Sequence, residues 1–215
     1  MKLVSVNVGL PREVEWRGET VKTSIFKEPV AGRVRVRRLN LDGDRQSDLT
    51  VHGGAEKAIY AYPSEHYAYW REELPGVALP WGSFGENFTT DGLSEDGVYI
   101  GDRYRAGSAE FVVTQPRMPC FKLGIRSGRA DMVKRFFRSG RTGFYFRVAL
   151  EGEVTTGDDV VLMARHDQSI TVADVVGLYS GDVANQPLLR HAAGLSALPE
   201  GWRGHFRKRL SEADA

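Results

Sequence analysis

The sequence predicts a mainly β, α+β fold: a β-rich body over residues 1–165 followed by a small three-helix segment over 166–215. Three observations predict it. The 24 glycines fall at turn-like positions between short apolar stretches, most of those stretches alternate with period two, and the alternation gives way to helical spacing after about Arg165.

Leu3-Val4-Ser5-Val6-Asn7-Val8 opens as a strand, and Gly32-Arg33-Val34-Arg35-Val36-Arg37 alternates with valines inward and arginines outward. Further strands are expected at Ala58 to Tyr62, Val98 to Ile100, Ala109 to Thr114, Phe144 to Leu150 and Val160 to Met163. Gly101-Asp102 and Gly157-Asp158 mark turns, with Gly supplying positive φ and Asp bonding its own backbone. Two helices interrupt the body. Ser64 is placed to cap one over Glu65 to Leu74, ended by Pro75-Gly76, and Arg129 to Arg138 carries Met132, Val133, Phe136 and Phe137 on an apolar face. In the tail, Thr171-Val172-Ala173-Asp174 reads as a capping box opening a helix that Gly181 stops; Asn185 to Ala193 and Pro199 to Glu212 give two more.

A chain of 215 residues is long enough for one large core. The lone cysteine rules out an intrachain disulfide, and Met1-Lys2 leads into Leu3-Val4-Ser5-Val6 without an apolar signal region, so a cytoplasmic location is expected. No apolar run reaches membrane-spanning length. Twenty-nine Lys plus Arg against 28 Asp plus Glu leave a net charge of +1, which argues against a protein built on non-specific nucleic-acid binding. Arginines still cluster, at Arg33 to Arg38 and from Arg126 to Arg141; each run reads as a solvated face or as part of a local basic pocket.

Cys120 sits in Gln115-Pro116-Arg117-Met118-Pro119-Cys120-Phe121-Lys122. Two prolines in four residues remove two backbone donors and fix φ, so the segment is expected to be a stiff loop that presents its thiol. Arg117 and Lys122 are near in sequence, and neighbouring cations favour the thiolate, the form that attacks electrophiles and binds soft metals. A buried structural cysteine is the competing reading. In His52-Gly53-Gly54-Ala55-Glu56-Lys57, paired glycines let backbone N–H groups approach an anion, with His52 and Lys57 suited to phosphate or a polar heterocycle. The spacing fits neither the Walker nor the dinucleotide fingerprint, and a plain turn histidine explains His52 as well. Asn87, in Gly82-Ser83-Phe84-Gly85-Glu86-Asn87-Phe88-Thr89, can donate and accept at the edge of a pterin or purine ring, or simply belong to a turn. Histidines at 52, 66, 166, 191 and 205 and one cysteine give no zinc-ligand spacing.

Taken in order, Asp48 to Tyr62, Gly85-Glu86-Asn87-Phe88, Gly101-Asp102, Gln115 to Cys120, and Gly143-Phe144-Tyr145-Phe146-Arg147-Val148 through Gly157-Asp158 resemble a MOSC domain, and the helical tail resembles its bacterial YiiM-like branch. The resemblance implies a β-barrel with peripheral helices and a site for molybdenum cofactor, with Cys120 as the protein ligand to molybdenum. It further implies that His52, Gly53, Gly54, Lys57, Asn87, Arg117 and Lys122 line the cofactor pocket, with Arg117 best suited to an anionic group through its fork of donors. It implies reduction of N-hydroxylated compounds, such as N-hydroxylated purine base analogues, with electrons from a separate reductase. The basic segment Arg129 to Arg141 offers that partner a face. The amino-terminal β-barrel domain of the amidoxime-reducing relatives is absent, so a homodimer or the helical tail is expected to complete the envelope. A non-catalytic carrier of the cofactor or of sulfur is the alternative, because a fold does not by itself decide function.

Overall fold

The computed structural model describes residues 1–47, 53–167, 170–181 and 185–213. In chain order these form β1 (Lys2–Val8), β2 (Arg12–Trp16), β3 (Glu19–Thr23), β4 (Glu28–Pro29), β5 (Val34–Val36), β6 (Ile59–Pro63), α1 (His66–Glu73), β7 (Phe88–Asp91), β8 (Arg103–Ala106), β9 (Ala109–Pro116), α2 (Lys122–Ser127), α3 (Met132–Arg138), β10 (Phe144–Leu150), β11 (Gly152–Val154), β12 (Val160–Ala164), α4 (Val172–Ser180), α5 (Gln186–Gly194) and α6 (Glu200–Ala213). A single 3-10 turn, Ala55–Lys57, precedes β6.

Among the described residues, eight strands make one mixed sheet in the order β12-β8-β9-β10-β6-β7-β1-β4, with β6 and β7 parallel and the other pairs antiparallel. The sheet closes on itself. Leu3 N donates to Asp158 O at 2.9 Å, Gly157 N to Leu3 O at 2.7 Å and Val160 N to Met1 O at 2.9 Å, so the start of β1 meets the start of β12. Closure into a barrel satisfies ladder groups that an open sheet would leave at its edges.

Leu3, Val6, Phe88, Phe111, Phe144 and Phe146 fill the interior, each worth roughly 1.5–3 kcal/mol on burial. Phe88 and Phe111 meet edge to face at 5.4 Å. The same apolar cluster continues into Val172 and Val175 of α4, Leu189 of α5 and Phe206 of α6, so the C-terminal helices share the barrel's core. A second cluster packs α1 and α3 against β6 through Tyr62, Trp70 and Phe136, where Trp70 stacks on Phe136 at 5.6 Å and its indole N–H donates to Tyr62 Oη at 2.6 Å.

The capping box is present. Thr171 Oγ1 accepts from Asp174 N, and Asp174 Oδ2 accepts from Thr171 N, both at 2.9 Å; Gly181 ends α4 at φ 82°. Val34 and Val36 point inward with Arg35 outward, as the alternation predicts. Three expectations need correction. Val98 to Ile100 holds only an isolated bridge, Tyr99 to Thr171, because the turn that places Asp102 interrupts it. Ser64 does not cap α1: Glu65 is the N-cap and no side chain caps it. The basic helix begins at Met132 rather than Arg129, and a separate α2 precedes it, since Gly128 takes φ 68° and stops α2.

Candidate functional site

Strand β9 ends at Pro116, which has no N–H to continue the ladder, and Pro116 pairs with Phe144 of β10. Gln115 and Pro116 are therefore strand, and the stiff loop is shorter than the sequence suggests, running from Arg117 to Phe121 before α2. Arg117 is pinned by its backbone N–H donating to Gly143 O at 3.2 Å. Cys120, half-buried, follows two residues after Met118 and lines a cavity of about 90 Å³.

Six of the eight residues predicted for the site line that cavity: Gly53, Lys57, Asn87, Arg117, Cys120 and Lys122. Gly54 lines an adjoining cleft of about 770 Å³, which shares Gly53, Lys57, Cys120 and Tyr145 with the cavity. His52, with the rest of 48–52, lies outside the described residues. Gly53 and Gly54 take φ of 101° and 82°, and a Cβ on Gly54 would meet nothing within 4 Å, so the backbone conformation, not space, calls for glycine there. The turn after them is fastened to β9: Glu56 O accepts from Thr114 Oγ1 at 2.6 Å and from Gln115 Nε2 at 3.2 Å.

The cavity is rich in cations. Arg117 is 5% exposed, with its guanidinium 5.3 Å from the Tyr60 ring and 5.2 Å from the Phe136 ring. Its Nη1 is buried with no hydrogen-bond partner, and so is Oγ of Ser24, which also lines the cavity. Burial disfavours the charge of Arg117, while the acid groups of Tyr60, Tyr145 and Cys120 more than offset that and hold its pKa above the usual arginine value. Burial raises the pKa of Tyr145, with Arg117 opposing it. Lys122 Nζ donates to Ser47 Oγ at 3.1 Å.

Lys27, which the sequence did not single out, reaches the cavity from the segment before β4 and forms a buried ion pair with Asp44. Burial lowers its pKa and the neighbouring Asp44 carboxylate works against that shift. Asp44 also accepts from Gly9 N and from Asn87 Nδ2, both at 2.9 Å. Asn87 in turn accepts from Tyr60 N at 3.1 Å and donates to Asn7 O at 3.3 Å. The Asn87 amide thus ties β1, β6 and the ion pair together, and both its N–H groups are engaged within the protein. Glu86 braces the same loop, accepting from Tyr67 Oη, Gly82 N, Phe84 N and Thr89 Oγ1; burial raises its pKa against those donors.

Apart from the charges carried by Lys27 and Asp44, which cancel, the wall therefore presents Lys57, Arg117 and Lys122 around a thiol. An anion-bearing ligand with a soft metal suits this set of donors. The MOSC domain family matches residues 48–161. This chain belongs to the MOSC family. The YiiM-like 3-alpha helix domain matches residues 170–213 of this MOSC protein, bearing out the family read from the ordered motifs. YflK of Bacillus subtilis is 40% identical over 207 residues, covering 96% of this chain and 93% of YflK. A protein of Gibberella moniliformis named reductase is 34% identical over 166 residues, 76% of this chain but 29% of that larger protein. The crystal structure of YiiM from Geobacillus stearothermophilus superposes with a TM-score of 0.80 at 38% identity, covering 97% of this chain and 98% of that one.

Proposed function

We propose that this MOSC protein holds molybdenum cofactor in the Cys120 cavity, with Cys120 as the protein ligand to molybdenum, and reduces N-hydroxylated compounds such as N-hydroxylated purine bases. The observation that carries the reading is the pair of orphaned buried atoms, Arg117 Nη1 and Ser24 Oγ, on two residues that line the same cavity as Cys120. A buried guanidinium nitrogen without an acceptor is costly, and an anionic group of the cofactor would satisfy it. Lys57 and Lys122 would take further anionic oxygens, Gly53 and Gly54 would let the backbone close in, and Asn87 would fix the floor by holding Asp44 on Lys27. When bound, the cofactor supplies the two-electron redox centre.

The overall reaction balances as R–NHOH + 2e⁻ + 2H⁺ → R–NH₂ + H₂O. The electrons would come from a separate reductase, and the G. moniliformis relative carries a like segment within a longer reductase. An acidic donor surface would suit α3, where Lys134 and Arg138 are exposed, while Arg129 and Arg135 are tied to Asp131 and Glu73. No helix among the described residues is long and apolar enough to cross a membrane.

The test is turnover of 6-hydroxylaminopurine to adenine under anaerobic conditions with a reduced viologen as donor. Losing a group behind a metal ligand commonly costs about 10–100-fold, so losing the ligand in Cys120→Ser should cost at least about 100-fold. Stoichiometric cofactor binding without reductant-dependent turnover in the wild type would favour the carrier role instead.

A further inference from the structure

On the outer face of the barrel, strand register sets Arg103 of β8 and Arg147 of β10 on either side of Val112 of β9. Ala164 of β12 pairs with Arg103 from the other side, and Arg165 follows it in the chain. These residues line a cleft of about 550 Å³, together with Ser196 and Ala197 from the connection between α5 and α6. We infer that this cleft binds a small phosphate-bearing anion, held by the guanidinium groups of Arg103, Arg147 and Arg165. The site is separate from the Cys120 cavity, with which it shares no described lining residue, and it stands whether or not that cavity holds a cofactor.

Register and charge support it. Paired strands lie about 4.8 Å apart, so Arg103 and Arg147 leave the backbone about 10 Å from each other, within reach of one phosphate group for two long side chains. Each guanidinium is steadied by a carboxylate. Arg103 Nε donates to Glu110 Oε2 at 2.9 Å, Arg165 Nη2 donates to the fully buried Asp102 Oδ2 at 3.2 Å, and Arg147 Nε lies 3.7 Å from Glu56 Oε1. Among the described residues, Nη1 of none of the three donates a hydrogen bond. Their side chains stay between 42% and 49% exposed, so an anion can reach them. The walls also come close together: a Cβ on Gly101, which takes φ 88°, would fall within 2.9 Å of His166 and 3.0 Å of Ala197, and all three residues line the cleft. A planar guanidinium fork matches phosphate oxygens two at a time, and Ser196 adds a hydroxyl. Glu56 and Asp167 line the cleft as well, and their charge disfavours an extended polyanion such as nucleic acid, so a small phosphate is the fitting occupant.

The test is isothermal titration of the full-length protein at low salt with inorganic phosphate, diphosphate and glycerol 3-phosphate as probes. A saturable site is expected, weakened about tenfold in Arg103→Gln and in Arg147→Gln and partly recovered in Arg147→Lys, which keeps the charge without the fork. Arg117→Met, which alters the Cys120 cavity, should leave this site in place. Circular dichroism and thermal midpoints confirm that the variants remain folded, as exposed ion pairs add little to stability. Tighter binding of glycerol 3-phosphate than of inorganic phosphate assigns the site to organic phosphates and the reverse to free phosphate, and either result supports the inference. Wild-type affinity in both glutamine variants would overturn it, and so would a site lost in Arg117→Met alone, since the anion would then sit beside Cys120. Sulfate binding as tightly as every phosphate probe, or a single-stranded oligonucleotide binding more tightly than all of them, would overturn it too.

Discussion

Replacing Asp44 with alanine is expected to cost about 3–5 kcal/mol of stability, the usual consequence of stranding one member of a buried ion pair. The Asp44 side chain is fully buried and that of Lys27 nearly so. Its removal would leave the Lys27 ammonium, Gly9 N and Asn87 Nδ2 without their acceptor at once. Burial already depresses the Lys27 pKa, so the variant would release the proton from Lys27 more readily still. Adding Lys27→Met to Asp44→Ala should restore part of the loss, since the double variant no longer buries a charge. Urea midpoints of the two single variants and the double variant measure this; a loss under about 1 kcal/mol in Asp44→Ala would contradict the buried pairing.

The second large effect concerns binding rather than folding. Arg117→Met is expected to leave the cofactor-free protein within about 1 kcal/mol of the wild type, because the buried charge it removes offsets the lost stacking on Tyr60 and Phe136. The same change should weaken cofactor retention by tenfold or more, since charge-assisted contacts are the strong ones. Opposite outcomes for fold and cofactor are what a ligand-directed arginine requires. Retention equal to wild type would mean that Arg117 serves the core alone.

Much of this was legible in the chain because the deciding features are local. The Thr171 capping box, the Gly181 stop and the alternation of Val34 and Val36 each depend on a few neighbouring residues, and each stands in the structure. Cys120, Arg117 and Lys122 fall within six residues, so their convergence was visible as a motif. Lys27 and Asp44 were not, because neither position carries a local signature and only the packing of the barrel brings them to Asn87. Arg103, Arg147 and Arg165 were not singled out for the same reason: strand pairing sets Arg103 and Arg147 on either side of Val112, and that is a property of topology. The Val98 to Ile100 strand failed where turn chemistry at Gly101-Asp102 overrode β propensity.

The measurement that tests the central claim most directly is molybdenum content by elemental mass spectrometry, on protein made with ample molybdate and purified in parallel as wild type and Cys120→Ser. Close to one metal per chain is expected in the wild type and near none in the variant, with the two proteins equally folded. Equal metal content in both would contradict Cys120 as the ligand.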